Sequence, residues 1–234
     1  MVPTTAKSVS LADLFDVLKS SDASLLADRK QKESWFDGDF KFLNNDNIAG
    51  QRVAFNSFPR SGNSFLRRLL EQISGLSTGA TVSMHTATSL QIMGMKGEGI
   101  SDDRVWIVKA HHPLLLEQAA PYECNKVICC VRNPLDVLPS YASLCNSINH
   151  ATKPEYEYEV DYPEWWDWFV RRQTDQMRDY FEILIRNCTT EKKAPIYFVR
   201  YEDLITHPKE SMEGLFKFLL DIPSVEGRNI GTRI

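Results

Sequence analysis

No stretch of this sequence approaches the roughly 18 consecutive apolar residues that a membrane-spanning helix needs, so no membrane span is expected. The opening residues MVPTTAKSVS hold no charged stretch followed by an apolar core, and no secretory leader is expected there. An excess of positive charge is missing too. Against 27 Lys and Arg stand 31 Asp and Glu, for a net charge of −4. That balance argues against a nucleic-acid partner, because a phosphate backbone is held by clustered cations. A small anionic ligand needs only a few local positive groups and stays open. Cysteine is sparse and odd in number, five in all. Cys129 and Cys130 fall inside the apolar run VICCV, which reads as a buried strand and not as a disulfide framework. Internal repeats and low-complexity tracts are absent, as is the G-x-x-x-x-G-K-[ST] spacing of nucleotide triphosphatases. The expectation is a soluble, cytoplasmic protein kept reduced; the glycosylation pattern Asn187-Cys188-Thr189 is then a chance match.

What is present has a regular order. Residues 8–30 read as one or two amphipathic helical stretches, with Ser8 or Ser10 as N-cap. Residues 31–50 are polar and irregular, pinned to the body by Trp35, Phe36, Phe40 and Phe42. Four short apolar runs follow, at 52–58, 105–110, 126–131 and 195–200. They are β-branched or aromatic and apolar on both alternations, as strands covered on both faces are. Helical patterns at 63–75, 134–148, 163–188 and 207–220 separate them. Alternation of this kind implies right-handed βαβ units: an α/β three-layer sandwich, with a central, mainly parallel sheet flanked by helices. Residues 1–49 form an N-terminal extension and 50–234 the main domain. In the helical stretch PEWWDWFVRRQTDQMRDYFEILI, Trp165, Trp168 or Phe169, and Phe181 are expected in the core. Residues 76–104, including His85, read as loop and surface. Ligands of such sheets sit beyond the carboxyl ends of the strands.

Three strand ends carry unusual residues. After the first, Pro59-Arg60-Ser61-Gly62-Asn63-Ser64 turns into a helix. Backbone N–H groups at a helix N-terminus and the Arg60 charge make an anion cradle, and Gly62 permits close approach or positive φ. After the third, Arg132-Asn133-Pro134 turns into a helix bearing Ser140; a guanidinium and a hydroxyl there can grip one phosphate. Each segment alone is equally an ordinary βα turn. At the second strand end, VKAHHP places Lys109 and His111 on one side by strand alternation. Adjacent His111 and His112 cannot easily chelate one ion, and no Cys or carboxylate lies at ligand spacing, so no metal is expected.

PRSGNSF, RNPLDVLPS and VKAHHP together resemble the sulfotransferase superfamily, with its P-loop-like 5′-phosphosulfate loop, its R-[DN]-P-x-[DE]-x-x-x-S segment and its K-x-H-x-P segment. The first two stand in the right order roughly seventy residues apart. The resemblance implies a transferase that moves a sulfuryl group from 3′-phosphoadenosine-5′-phosphosulfate (PAPS) to a hydroxyl or amine of a small-molecule or glycan acceptor. It implies that Arg60 faces the sulfate and bridging oxygen, and that Ser61, Gly62, Asn63 and Ser64 hold the 5′-phosphate. It assigns Arg132 and Ser140 to the 3′-phosphate, Lys109 to the leaving oxygen, His111 to the base and Tyr201 to the adenine. Glu202 and Asp203 are expected to cap or to pair with neighbouring cations. Two departures matter. Pro139 precedes Ser140 inside the expected helix; either the helix starts at Pro139, which is preferred because proline suits a first turn, or Ser140 is displaced. The family's basic, glycine-containing clamp (R-K-G-x-x-G-x-W) is also missing. Gly227, Arg228, Gly231 and Arg233 are an imperfect echo of it, so the domain is expected to lack its C-terminal end. A catalytically weak or dead member serving as a binding or structural subunit is the alternative.

Overall fold

The computed structural model describes residues 8–24, 40–44, 52–81, 90, 94–111, 123–147, 157–189 and 194–234. Trp35, Phe36, His85 and His112 lie outside them. Each of the four apolar runs forms a strand: β3 (Val53–Ser57), β5 (Ile107–Ala110), β6 (Lys126–Val131) and β7 (Ile196–Arg200). A short β4 (Gly79–Ala80) joins them in one parallel sheet of order β4-β5-β3-β6-β7. A further pair, β1 (Ser8–Val9) and β2 (Phe42–Leu43), stands apart. Residues 76–104 therefore contain an edge strand where a loop is expected. A Gly-Ala pair carries no apolar run that would announce it.

The apolar character on both alternations has its reason in the layers. Val53, Phe55, Ile128, Cys130 and Val199 face one helical layer, which contains α1 (Leu11–Lys19), α2 (Asn63–Ser74) and α7 (Pro208–Leu220). Ala54, Val127 and Cys129 face the other, α3 (Pro134–Ser147) and α5 (Pro163–Thr189). A parallel sheet covered on both faces requires this pattern. Two short helices complete the described chain: α4 (Tyr158–Asp161) and α6 (Tyr201–Thr206), the latter formed by the Tyr-Glu-Asp turn itself. Leu14 and Leu18 of α1 are fully buried in the same cluster as Phe55, so the N-terminal helix closes the core. Ser10 is its N-cap. Phe42 is buried on β2, and Phe169 is buried on α5, whereas Trp168 is exposed and takes no part in the core.

The helix after β6 does not begin at Pro139. It begins at Pro134, and Pro139 lies within it. Asn133 explains the difference: its carbonyl accepts from Val137 N (3.1 Å) and its side-chain oxygen from Leu135 N (3.1 Å). A capped start with proline in the first position outweighs one interior proline. The bond that Pro139 removes would have ended on the carbonyl of Leu135, an exposed residue whose carbonyl water can satisfy.

Strand order makes β3 the turning point. The chain runs from β3 out to β4 and β5 on one side, then crosses to β6 and β7 on the other. Open α/β sheets bind ligands at the carboxyl end of such a switch point, and here the three marked strand ends meet.

Candidate active site

The turn after β3 is shaped by two left-handed residues. Arg60 has φ 69° and Gly62 φ 94°. Between them Ser61 N donates to the Phe58 carbonyl (3.2 Å), and Leu66 N reaches the Gly62 carbonyl (3.0 Å) to start α2. No side chain caps this helix, and its first turn holds no acidic residue. The N–H groups of that turn have no intrahelical acceptor and carry partial positive charge. Gly62 is also in close contact: a Cβ there would lie 2.3 Å from Cδ2 of Tyr201. Gly62→Ala is therefore expected to destabilise the fold by about 1–2 kcal/mol from the left-handed backbone alone, and to push the Tyr201 ring aside. Denaturant midpoints check this; an unchanged midpoint would remove the close-packing argument.

The side chains of the turn divide their tasks. Asn63 is turned into the protein and donates from Nδ2 to Ser57 Oγ (2.9 Å), so its backbone, not its amide, faces the site. Ser61 is buried, its carbonyl accepting from Cys130 Sγ (2.9 Å). Burial pushes the Cys130 thiol well up, which makes it an inert donor. Arg60 Nε donates to Ser140 Oγ on α3 (2.8 Å). Arg132 Nη1 donates to the Arg60 carbonyl (3.1 Å), and its guanidinium carbon sits 4.5 Å from the centre of the Tyr201 ring. Tyr201 is held there by its neighbour: Glu202 accepts from Asn133 N (2.8 Å) and pairs with Arg200 (3.1 Å). Glu202 thus ties α6 to the β6–α3 turn.

At the end of β5, His111 Nδ1 lies 2.7 Å from the Ser57 carbonyl. A carbonyl only accepts, so Nδ1 carries the proton and Nε2 keeps its lone pair. Burial first, then the positive charges of Lys109 and Arg67, lowers the His111 pKa to about 3 against the opposing Ser57 bond. Lys109 is also pulled below its ordinary value by burial; Glu98 opposes this and Arg67 reinforces it. Burial and the nearby Arg132 lower Arg60. These groups line one pocket of about 300 Å³, with Arg60, Lys109, His111 and Arg132 on its wall. None of its described lining residues is Asp or Glu. Concentrated positive charge with no lining carboxylate is suited to a polyanion. Phe65, Leu90 and Leu144 give the pocket an apolar side.

Of the expected residues, the structure brings Arg60, Gly62, Asn63, Ser64, Lys109, His111, Arg132 and Tyr201 to this pocket, with Ser140 bonded to Arg60 behind it. Sequence reasoning missed a buried group beneath. Arg67 on α2 pairs with Glu98, both fully buried, and Thr78 bridges Arg67 to Glu71. Arg67 and Glu71 stand four apart on the stripe of Leu66, Leu70 and Ile73, and charges on an apolar stripe are the signal for such a pair. Arg228 and Arg233 lie elsewhere: Arg228 donates to the Lys19 carbonyl (2.6 Å) and Arg233 to that of Gln72 (2.6 Å). Gln72 is at the far end of α2 from the cradle, about 1.5 Å per residue away along the helix. Among the described residues no group of His, Cys, Asp and Glu is placed to hold a metal, and no helix is long and apolar enough to cross a membrane.

Comparison with known proteins places the chain in a family. Residues 52–228 match the family described as sulfotransferase domain. A WSCD family member of Aedes aegypti is 27% identical over 169 residues, covering 71% of this chain and 50% of that protein. A WSCD family member of Drosophila melanogaster is 27% identical over 167 residues, with the same coverage. The chain spans about half the length of the curated relatives it matches. Among solved structures, mouse sulfotransferase SULT7A1 complexed with PAP superposes with a TM-score of 0.46 at 17% identity, over 78% of this chain and 63% of that one.

Proposed function

We propose, from the premise that this chain belongs to the sulfotransferase domain family, that it transfers a sulfuryl group from PAPS to a hydroxyl or amine acceptor. The observation that carries this reading is the pocket at the switch point, lined by Arg60, Lys109, Arg132 and a neutral His111 with no described carboxylate. The residues fit the donor. The N-terminus of α2 is uncapped, so the N–H groups of residues 62–64 would hold the 5′-phosphate. Arg132 and Ser140 would take the 3′-phosphate, and Tyr201 the base. When bound, PAPS supplies the sulfuryl group and a phosphate leaving group.

The chain's own residues do the rest. His111 Nε2 accepts the proton of the acceptor, a task for which the Nδ1–Ser57 bond fixes the required tautomer. Lys109, on the same side of β5, offers positive charge where negative charge builds on the departing oxygen. Fixed donors at the cradle need no reorganisation at the moment of reaction. Calorimetry tests the reading: adenosine 3′,5′-bisphosphate should bind more tightly than 5′-AMP or ATP. Preference for ATP, or no binding of any of the three, would overturn it. One observation favours a binding protein without turnover: Arg228 and Arg233, the echo of the nucleotide clamp, bond helix carbonyls instead. Bisphosphate binding with no donor turnover would establish that second reading.

A further inference from the structure

The position of Arg60 is unlike that of a residue facing the transferred group. Its backbone is left-handed, a conformation that non-glycine residues avoid. From there its side chain reaches α3, eighty residues away in sequence, and Nε donates to Ser140 Oγ at 2.8 Å. Arg132 is tied to the same place, because its Nη1 donates to the carbonyl of Arg60. Two guanidinium groups therefore lie close together on the pocket wall, with the Ser140 hydroxyl bonded to one of them from behind. The proximity of Arg132 disfavours the Arg60 charge, as does burial. Two neighbouring cations favour an anion of two charges beside them.

The donor has one group of that kind. A 3′-phosphate is a monoester and carries close to two negative charges at neutral pH. The 5′-phosphate is joined to sulfate and bears a single charge, which suits backbone N–H groups and one lysine. We propose that Arg60 is a 3′-phosphate ligand, acting with Arg132 and Ser140, so that it selects 3′-phosphorylated nucleotides. Lys109 then remains as the lysine of the sulfuryl side. This assignment rests on the PAPS reading above and departs from the role that the family resemblance gives to the arginine of the loop.

Calorimetry with adenosine 3′,5′-bisphosphate and 5′-AMP tests it without requiring turnover. Arg60→Ala should weaken the bisphosphate about ten- to a hundred-fold and leave 5′-AMP little changed, so that the preference collapses. Ser140→Ala should weaken the bisphosphate in the wild-type background and have little further effect in Arg60→Ala, the non-additivity of groups sharing one partner. Alanine keeps the Cβ already present at the left-handed position, and Arg60→Gly, which relieves that strain, gives the same comparison should the alanine variant fold poorly. Equal weakening of both nucleotides would overturn the proposal and return Arg60 to the 5′ side. If the wild-type protein does not prefer the bisphosphate to 5′-AMP, the PAPS reading itself fails, and Arg60 falls with it.

Discussion

Replacing His111 with alanine is expected to lower donor turnover by about 10²–10⁴-fold and to leave the affinity for adenosine 3′,5′-bisphosphate within a few-fold. The expectation follows from one hydrogen bond and one electrostatic setting. The Ser57 carbonyl holds the proton on Nδ1, so the lone pair is on Nε2 before any ligand arrives. Burial, Lys109 and Arg67 then keep the ring neutral down to about pH 3. A base that is already deprotonated loses activity only when it gains a proton, so a lowered pKa moves the acid limb of the rate profile down. In the free protein His111 should show no titration near pH 6.5 by imidazole ¹⁵N chemical shift. Bound adenosine bisphosphate brings negative charge beside Lys109 and should raise the His111 pKa toward the range where a base works best. An alanine variant within about ten-fold of wild-type turnover would remove His111 from the mechanism. A free-protein titration centred near 6.5 would instead show that burial and the neighbouring cations do not hold the ring neutral, and would overturn the lowered acid limb alone. A comparable loss from His112→Ala, with His111→Ala still active, would identify the other imidazole as the base.

The sheet was legible because its runs were apolar on both alternations, and Val53, Ala54 and Phe55 do face different clusters in turn. The cradle was legible because strand, glycine-bearing turn and helix follow in six residues. Side-chain directions were not. Asn63 turns inward to Ser57, and Glu202 reaches the backbone of Asn133, sixty-nine residues earlier. The first depends on how the turn folds back on its own strand, six residues away, and the second joins elements that only the sheet order brings together. Pro139 misled for a related reason: its local cost was visible, whereas the capping geometry of Asn133 that outweighs it became visible only in three dimensions. β4 was hidden by its composition. Two small residues at a sheet edge have no periodicity to read.

Glu98→Ala is expected to be the most destabilising of the substitutions considered, by about 3–5 kcal/mol, the usual cost of leaving a buried charge unpaired. The turn at 94–100 delivers Glu98 because Gly97 packs on β4: a Cβ there would lie 2.1 Å from the Thr78 carbonyl oxygen. Glu98 then pairs with Arg67, and neither side chain is exposed. Arg67 keeps two other contacts, from Nε to Thr78 Oγ1 (2.8 Å) and from Nη2 to the Thr78 carbonyl (3.1 Å), both to neutral oxygens. These cannot replace a carboxylate at that depth. Against a total stability of roughly 5–15 kcal/mol for an ordinary domain, the loss is about a fifth or more. Denaturant midpoints at constant slope measure it. Because the cost is that of an orphaned charge, Arg67→Met with Glu98→Leu should be milder than Glu98→Ala alone, despite removing more polar atoms. A double variant worse than either single one would show that the pair is net stabilising. A Glu98→Ala variant within about 1 kcal/mol of wild type would show that Arg67 is not confined without it. The same carboxylate supports Lys109 against burial and Arg67. Glu98→Ala should therefore lower donor turnover even well below its unfolding temperature, where loss of folded protein contributes nothing.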